Sequence, residues 1–137
     1  MNAPVILVVE DDDAVRSLVS RLIEGDTAIG PARAIGARDA EEALLVLRRA
    51  IPALILLDLR LPGMDGFELC RRLKRDPLLA RVPIVATSAL MPTEPARQRA
   101  LDHGCADFVA KPFDLGALID ALAAQLHRAA QLGQPTI

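Results

Sequence analysis

Apolar and polar positions along this chain follow two rhythms. Val5–Val9, Ala53–Leu57, Ile84–Thr87 and Ala106–Ala110 are short, mostly apolar runs of strand length, and a weaker run lies around Arg33–Ala37. Between them the apolar residues fall at helical spacing. Val15, Leu18, Val19, Leu22 and Ile23 share one helix face. Asp39, with Glu42 three residues on, opens a second helix as an acidic variant of the capping box, with Ala43, Leu44 and Leu47 inward. Asp65-Gly66-Phe67-Glu68 starts a third, which carries Leu69 and Leu73 and stops before Pro77. Thr93 to His103 gives a short fourth helix closed by Gly104. Asp114 caps a fifth with Leu115, Leu118, Ile119, Leu122 and Leu126 inward.

Strands alternating with helices predict a (βα)5 chain. Runs that are apolar throughout belong to a parallel sheet covered on both faces. Right-handed crossovers then make an α/β, doubly wound five-stranded parallel sheet with helices on both faces. In such a sheet the ligand site lies beyond the carboxyl ends of the strands, where strand order reverses. The residues just after each strand therefore carry the function.

Composition narrows the classes. The 137 residues carry 16 Lys+Arg against 18 Asp+Glu, a net charge of -2, and 52% are hydrophobic. That suits one domain with a real core; residues 1–129 are expected to form it, with 130–137, which include Gly133 and Pro135, as a flexible tail. The three aromatics are all Phe, too few for a surface that stacks single-stranded bases. A near-neutral balance also argues against a duplex nucleic-acid partner, which needs a basic face. No apolar run approaches the ~20 residues that span a bilayer, and Met1–Pro4 has no basic region of a signal peptide, so a cytoplasmic protein without a membrane partner is expected. Cys70 and Cys105 lack CxxC spacing or a His pattern and read as reduced, half-buried thiols. His103 and His127 read as surface or helix-end residues. Lysine is confined to Lys74 and Lys111, which gives a lysine at a strand end more weight.

Such a lysine exists. Glu10, Asp11, Asp12 and Asp13 follow the first strand, Asp58 the third, Thr87 and Ser88 the fourth and Lys111 the fifth. One of Asp12 or Asp13 is expected to cap the first helix. Packed carboxylates repel, so they need a cation or must take up protons. A hard divalent ion such as magnesium, which prefers oxygen ligands and keeps several waters, answers that need. A carboxylate beside it can attack phosphorus to give an aspartyl phosphate. Lys111 and the Ser88 hydroxyl are the groups that would hold phosphoryl oxygens, and small Ala89 leaves the approach open.

The residues Ile6-Leu7-Val8-Val9-Glu10-Asp11-Asp12, Leu57-Asp58-Leu59-Arg60-Leu61-Pro62-Gly63-Met64-Asp65-Gly66, Pro83-Ile84-Val85-Ala86-Thr87-Ser88-Ala89 and Lys111-Pro112-Phe113 resemble, in order, the signatures of the receiver domain of bacterial two-component response regulators. The resemblance covers Val5 to His127 and implies the flavodoxin-like strand order 2-1-3-4-5. It implies Asp58 as phosphoacceptor. Glu10, Asp11, Asp58 and the backbone carbonyl of Arg60 would be magnesium ligands, and Lys111 the phosphate-binding lysine, followed by a cis peptide to Pro112. The switch hydroxyl falls on Ser88 rather than Thr87, and Phe108 takes the place of the switching aromatic. The implied donor is a phosphohistidine on a sensor histidine kinase or histidine phosphotransfer protein. The implied output is docking of a downstream protein on the face formed by the fourth helix, fifth strand and fifth helix, or a homodimer on activation. The chain would be a switch rather than an enzyme, limited to self-phosphorylation from small phosphodonors and self-dephosphorylation. Little sequence follows the last helical pattern, so no DNA-binding output domain is expected in this chain.

Two positions depart from a bland pattern. Arg60 lies two past the acceptor and Leu90 two past the switch serine, where the family tunes how fast water removes the phosphoryl group; a long cation and a bulky apolar group there predict shielding. Pro92 and Pro95 bracket the start of the fourth helix, so the output face is expected to be unusual. A competing resemblance, to haloacid-dehalogenase-like phosphatases with Asp11 as nucleophile and Asp13 as acid/base, leaves the Asp58 segment unexplained and lacks the acidic pair after Lys111. A folded but unphosphorylated pseudo-receiver is a third reading. A flavin carrier is disfavoured by the acidic first loop and the lack of Trp and Tyr.

Overall fold

The computed structural model describes residues 3–89 and 94–133. Five parallel strands, β1 (Val5–Val9), β2 (Arg33–Ala37), β3 (Leu54–Asp58), β4 (Ile84–Ser88) and β5 (Asp107–Ala110), lie in the order β2-β1-β3-β4-β5. Five helices connect and follow them: α1 (Asp13–Gly25), α2 (Ala40–Leu47), α3 (Gly66–Arg75), α4 (Glu94–Asp102) and α5 (Leu115–Gly133). The doubly wound α/β fold expected from the two rhythms is the one observed. Among the described residues, no helix is long and apolar enough to cross a membrane.

Strand alternation sorts the core into two halves, because successive side chains leave a strand on opposite faces. Leu7, Val9, Ile55, Leu57, Ile84, Ala86 and Phe108 join one cluster with residues of α2, α3 and α4. Ile6, Val8, Leu54, Leu56 and Val85 join the other with Val19, Ile23, Leu118, Ile119 and Leu122 of α1 and α5. Each central strand is buried on both faces, which is why these strands read as continuous apolar runs. Among the described residues, no buried side-chain nitrogen or oxygen lacks a hydrogen-bond partner.

The caps fall where the sequence places them. Asp12, Asp39, Asp65 and Asp114 accept from the backbone N–H groups of Val15, Glu42, Phe67 and Ala117. The capping box at α2 closes one residue early: the Glu42 carboxylate accepts from the backbone N–H of Arg38, not of Asp39.

Several expectations need correction. β3 and β4 each run one residue further than the apolar pattern, so Asp58 and Ser88 are the last residues of their strands; β5 begins at Asp107. Leu18 and Leu115, expected inward, are 52% and 41% exposed, because in each case the neighbouring apolar residues already fill the stripe that meets the sheet. Cys70 and Cys105 are buried rather than half-buried. Residues 130–133 belong to α5, where Gly133 and Pro135 predict a tail from 130; the run Ala129-Ala130-Gln131 consists of good helix formers. Leu90, Pro92 and Thr93 lie outside the described residues.

Gly66, the first residue of α3, is the tightest point of the scaffold. A Cβ there would stand 2.5 Å from the Leu59 Cα and 2.8 Å from the Asp58 carbonyl oxygen, both backbone atoms that cannot swing away. At Gly25, which closes α1, a Cβ would meet nothing within 4 Å. Gly66→Ala is therefore expected to cost about 1–3 kcal/mol in urea unfolding, as overpacking does. Gly25→Ala should be neutral or stabilising by up to about 1 kcal/mol.

Candidate functional site

The carboxyl ends of β1 and β3 are neighbours in the sheet and feed opposite sides of it, so the strand order reverses between them. Glu10 leaves β1 with its N–H donating to the Ala37 carbonyl at 3.0 Å. Its Oε2 accepts from the Asp12 N–H at 3.1 Å, and the Arg16 guanidinium donates to its carbonyl at 2.9 Å. Asp58 ends β3. Its Oδ1 accepts from the Arg60 N–H at 2.8 Å, while the following Leu59 N–H donates to the Thr87 carbonyl at 2.9 Å. Lys111 follows β5, and its own N–H is fixed at 2.9 Å to the carbonyl of Ser88. The Lys111–Pro112 peptide is cis, as the resemblance implies.

The Lys111 ammonium then reaches back across the strand ends. It donates to Asp58 Oδ2 at 2.9 Å and also to Glu10 Oε1. Residues remote in sequence meet because the parallel sheet brings all its carboxyl ends to one edge. Both carboxylates are 4% exposed. Burial pushes the Glu10 carboxyl above its ordinary range, aided by the Asp58 charge and opposed by the hydrogen bond from Lys111. For Lys111, burial acts to lower the pKa, but the hydrogen bonds to Glu10 and Asp58 outweigh it and hold the ammonium above its ordinary value.

Asp11 completes the group: ligand oxygens of Glu10, Asp11 and Asp58 lie within 4.8 Å of one another, with Asp11 exposed and the other two buried. Three hard carboxylate oxygens, two buried and one at the surface, fit a magnesium ion by their donor chemistry. Asp12 and Asp13 are occupied otherwise, as the α1 cap and as the partner of Arg16.

At β4, alternation separates the two hydroxyls. Ser88 lies on the face of Ala86 and, across the register pairs Ala86–Phe108 and Ser88–Ala110, on the face of Phe108; Thr87 follows Val85 to the other face. Both hydroxyl residues are buried. Phe108 is only 7% exposed. Thus Glu10, Asp11, Asp58, Arg60 and Lys111 gather at one edge, with Ser88 at the adjoining strand end and Phe108 deeper on its face. Leu90 lies outside the described residues.

Two features escaped sequence reasoning. Arg16 braces the Glu10 carbonyl; its spacing from Asp13 marks a helix ion pair but not the reach back to β1. Beside Asp58, a groove of about 490 Å³ is lined by Leu59, Arg60, Leu61, Gly63, Phe67 and Arg99, among others. There the Arg99 guanidinium of α4 lies 4.2 Å from the centre of the Phe67 ring of α3.

Lys111→Met tests the electrostatics. Without the ammonium, two buried carboxylates face each other unneutralised, so in metal-free buffer the variant is expected to lose about 1–3 kcal/mol of unfolding free energy. Magnesium should restore part of that loss, read by urea unfolding with and without the ion.

Comparison with known proteins places this geometry. The sequence profile for the response regulator receiver domain matches residues 6–123. The chain is 40% identical over 110 residues to "Response regulator PleD" of Caulobacter vibrioides, a match covering 80% of this chain and 23% of PleD, so the chain spans less than a quarter of that relative. The signal receiver domain of a signal transduction histidine kinase from Syntrophus aciditrophicus superposes with a TM-score of 0.81 at 29% identity, covering 98% of each chain. The phosphorylated cyanobacterial phytochrome response regulator RcpA superposes with a TM-score of 0.77 at 28% identity, covering 98% of this chain and all of that one. With a profile match across most of its length, a parallel sheet in the order β2-β1-β3-β4-β5 and structural neighbours of the same kind, this chain belongs to the response regulator receiver domain family of two-component signalling.

Proposed function

We propose that this chain is a phosphorylation-dependent switch in which Asp58 accepts a phosphoryl group from a phosphohistidine on a sensor histidine kinase or histidine phosphotransfer protein. The observation that carries the reading is the Lys111 ammonium spanning Asp58 and Glu10 at the carboxyl edge of the sheet. A carboxylate oxygen of Asp58 attacks phosphorus, the phosphorus–nitrogen bond breaks, and the imidazole leaves with the bonding electron pair. Lys111 is already in place to hold a phosphoryl oxygen, and the Arg60 N–H keeps the Asp58 carboxylate oriented. Glu10, Asp11, Asp58 and the Arg60 carbonyl would hold magnesium, which supplies neutralising charge for the incoming phosphoryl oxygens. RcpA, solved in phosphorylated form, supports the same chemistry in a chain of this fold.

The phosphoryl group brings new negative charge to the end of β3. Ser88 at the neighbouring strand end is drawn toward it, and α4, β5 and α5 follow. Phe108 is already inside the apolar cluster, so its share is a repacking within the core rather than a rotation in from solvent. Taking the switch from 1:99 to 99:1 requires about 5.5 kcal/mol of differential stabilisation, the scale of two or three charge-assisted contacts. Partners then read the α4–β5–α5 face, as a downstream protein or a second copy of the chain.

The phosphatase alternative fares worse. Asp11 is exposed, while Asp58 is the buried carboxylate that Lys111 grips.

Incubation with a small acyl phosphate and magnesium should give a stoichiometric adduct that maps to Asp58 and is absent from Asp58→Asn. Catalytic turnover through Asp11 would overturn the reading. Ser88→Ala should still be phosphorylated, yet the amide chemical-shift changes that phosphorylation is expected to cause along β5 should be lost. Arg60→Ala and Leu90→Ala are each expected to shorten the phosphoryl lifetime several-fold; an unchanged lifetime in both removes the shielding role.

A further inference from the structure

Outside the acidic pocket, the two cysteines are the one nucleophilic pair that the proposed switch does not use. Cys70 lies on α3 and Cys105 in the short link between α4 and β5. Their sulfurs are 3.5 Å apart, and the Cys70 thiol also lies 3.1 Å from the His103 carbonyl, to which it can donate. Helical spacing aims Cys70 inward with Leu69 and Leu73, while the backbone hydrogen bond from the Cys105 N–H to the Ala100 carbonyl, at 3.1 Å, folds the link back against α4. Gly104, with φ +97°, makes that reversal, and a Cβ there would stand 3.0 Å from the Lys74 side chain. The pair is thus held between α3 and the entry to β5 by backbone structure on both sides.

We propose that Cys70 and Cys105 form a thiol–disulfide site, oxidised by hydrogen peroxide, that ties α3 to the start of β5. One sulfur attacks the peroxide: a sulfur–oxygen bond forms, the oxygen–oxygen bond breaks, and the first water leaves. The second sulfur then attacks the resulting sulfenic acid; the sulfur–sulfur bond forms, the sulfur–oxygen bond breaks, and a second water leaves. The two sulfurs together lose two electrons, and both thiol protons end in water. Closing from contact distance to the ~2.05 Å of a disulfide requires a small approach of side chains already facing each other. Both sulfurs are buried, Cys70 fully and Cys105 at 5% exposure, so the oxidant must be small and its reaction slow.

The bond would have a consequence for signalling. It fixes α3 to the residue three before Phe108, at the junction between α4 and β5, which is the segment the switch must move. That consequence rests on the reading of Asp58 as acceptor; the bond itself does not.

The full chain, treated with hydrogen peroxide, denatured and alkylated with iodoacetamide, tests the site. The expected result is a loss of two hydrogens in intact mass, loss of both alkylatable thiols, a cross-linked peptide pair containing Cys70 and Cys105, and full reversal by dithiothreitol. Cys70→Ser and Cys105→Ser should each abolish the intramolecular link. Two thiols that remain alkylatable, oxidation to separate sulfinic acids, or links only between molecules would overturn the proposal. Phosphorylation of Asp58, followed in the reduced chain, separates the two readings: a chain that closes the bond on oxidation but never takes up phosphate when reduced retires the phosphoacceptor and keeps the thiol site.

Discussion

A single ammonium group, Lys111 Nζ, bridges two buried carboxylates that arrive on different strands, and the architecture of the functional edge depends on that contact. Glu10 and Asp58 would repel if left alone in so little water. Lys111 cancels part of that repulsion, and its position is set by backbone pairing to β4 rather than by the flexible side chain alone. The pocket keeps an excess of negative charge even so, because Asp11 stands on its rim. A site built this way favours a divalent cation. Under the proposed phosphorylation its charge balance would change sharply as the Asp58 carboxylate becomes an acyl phosphate, because the same ammonium then has new oxygens to hold.

The sheet would give the proposed switch its direction. Alternation along β4 sends Ser88 toward the α3–α4 side and Thr87 toward α1 and α5. The register to β5 puts Phe108 on the side of Ser88. Asp58 itself is in register with Thr87, so the proposed switch would act across the strand ends, with Ser88 on the face that also carries the Arg99–Phe67 contact and the cysteine pair.

Most of the fold was legible because its physics is local. Apolar runs bounded by polar strand ends, Asp caps ahead of four of the helical stripes and a glycine after α4 each state their structure within a few residues. The site was legible for a different reason: parallel strands bring residues such as Asp58 and Lys111 together whatever their separation, so reading the residues after each run was enough. What escaped needs tertiary information. Leu18 and Leu115 carry the right periodicity, but their burial depends on which neighbours reach the sheet first. The contact between Cys70 and Cys105 depends on how the link after α4 folds back on α3, and no spacing rule encodes that. Arg16 is visible in sequence as the partner of Asp13, yet its bond to the Glu10 carbonyl follows from the angle at which α1 leaves β1.

The scarcity of lysine makes the central contact directly observable. Lys74 Nζ donates to the carbonyls of Ala80 and Val82, away from the acidic edge, and Lys111 is the other lysine of the chain. Nitrogen-15 labelling of lysine side chains therefore yields two ammonium signals, assigned by the loss of one in Lys111→Arg. On phosphorylation with magnesium and a small acyl phosphate, the Lys111 signal should shift while that of Lys74 stays, and Asp58→Asn should show no shift with the donor. A stoichiometric adduct on Asp58 that left the Lys111 signal in place would contradict the account.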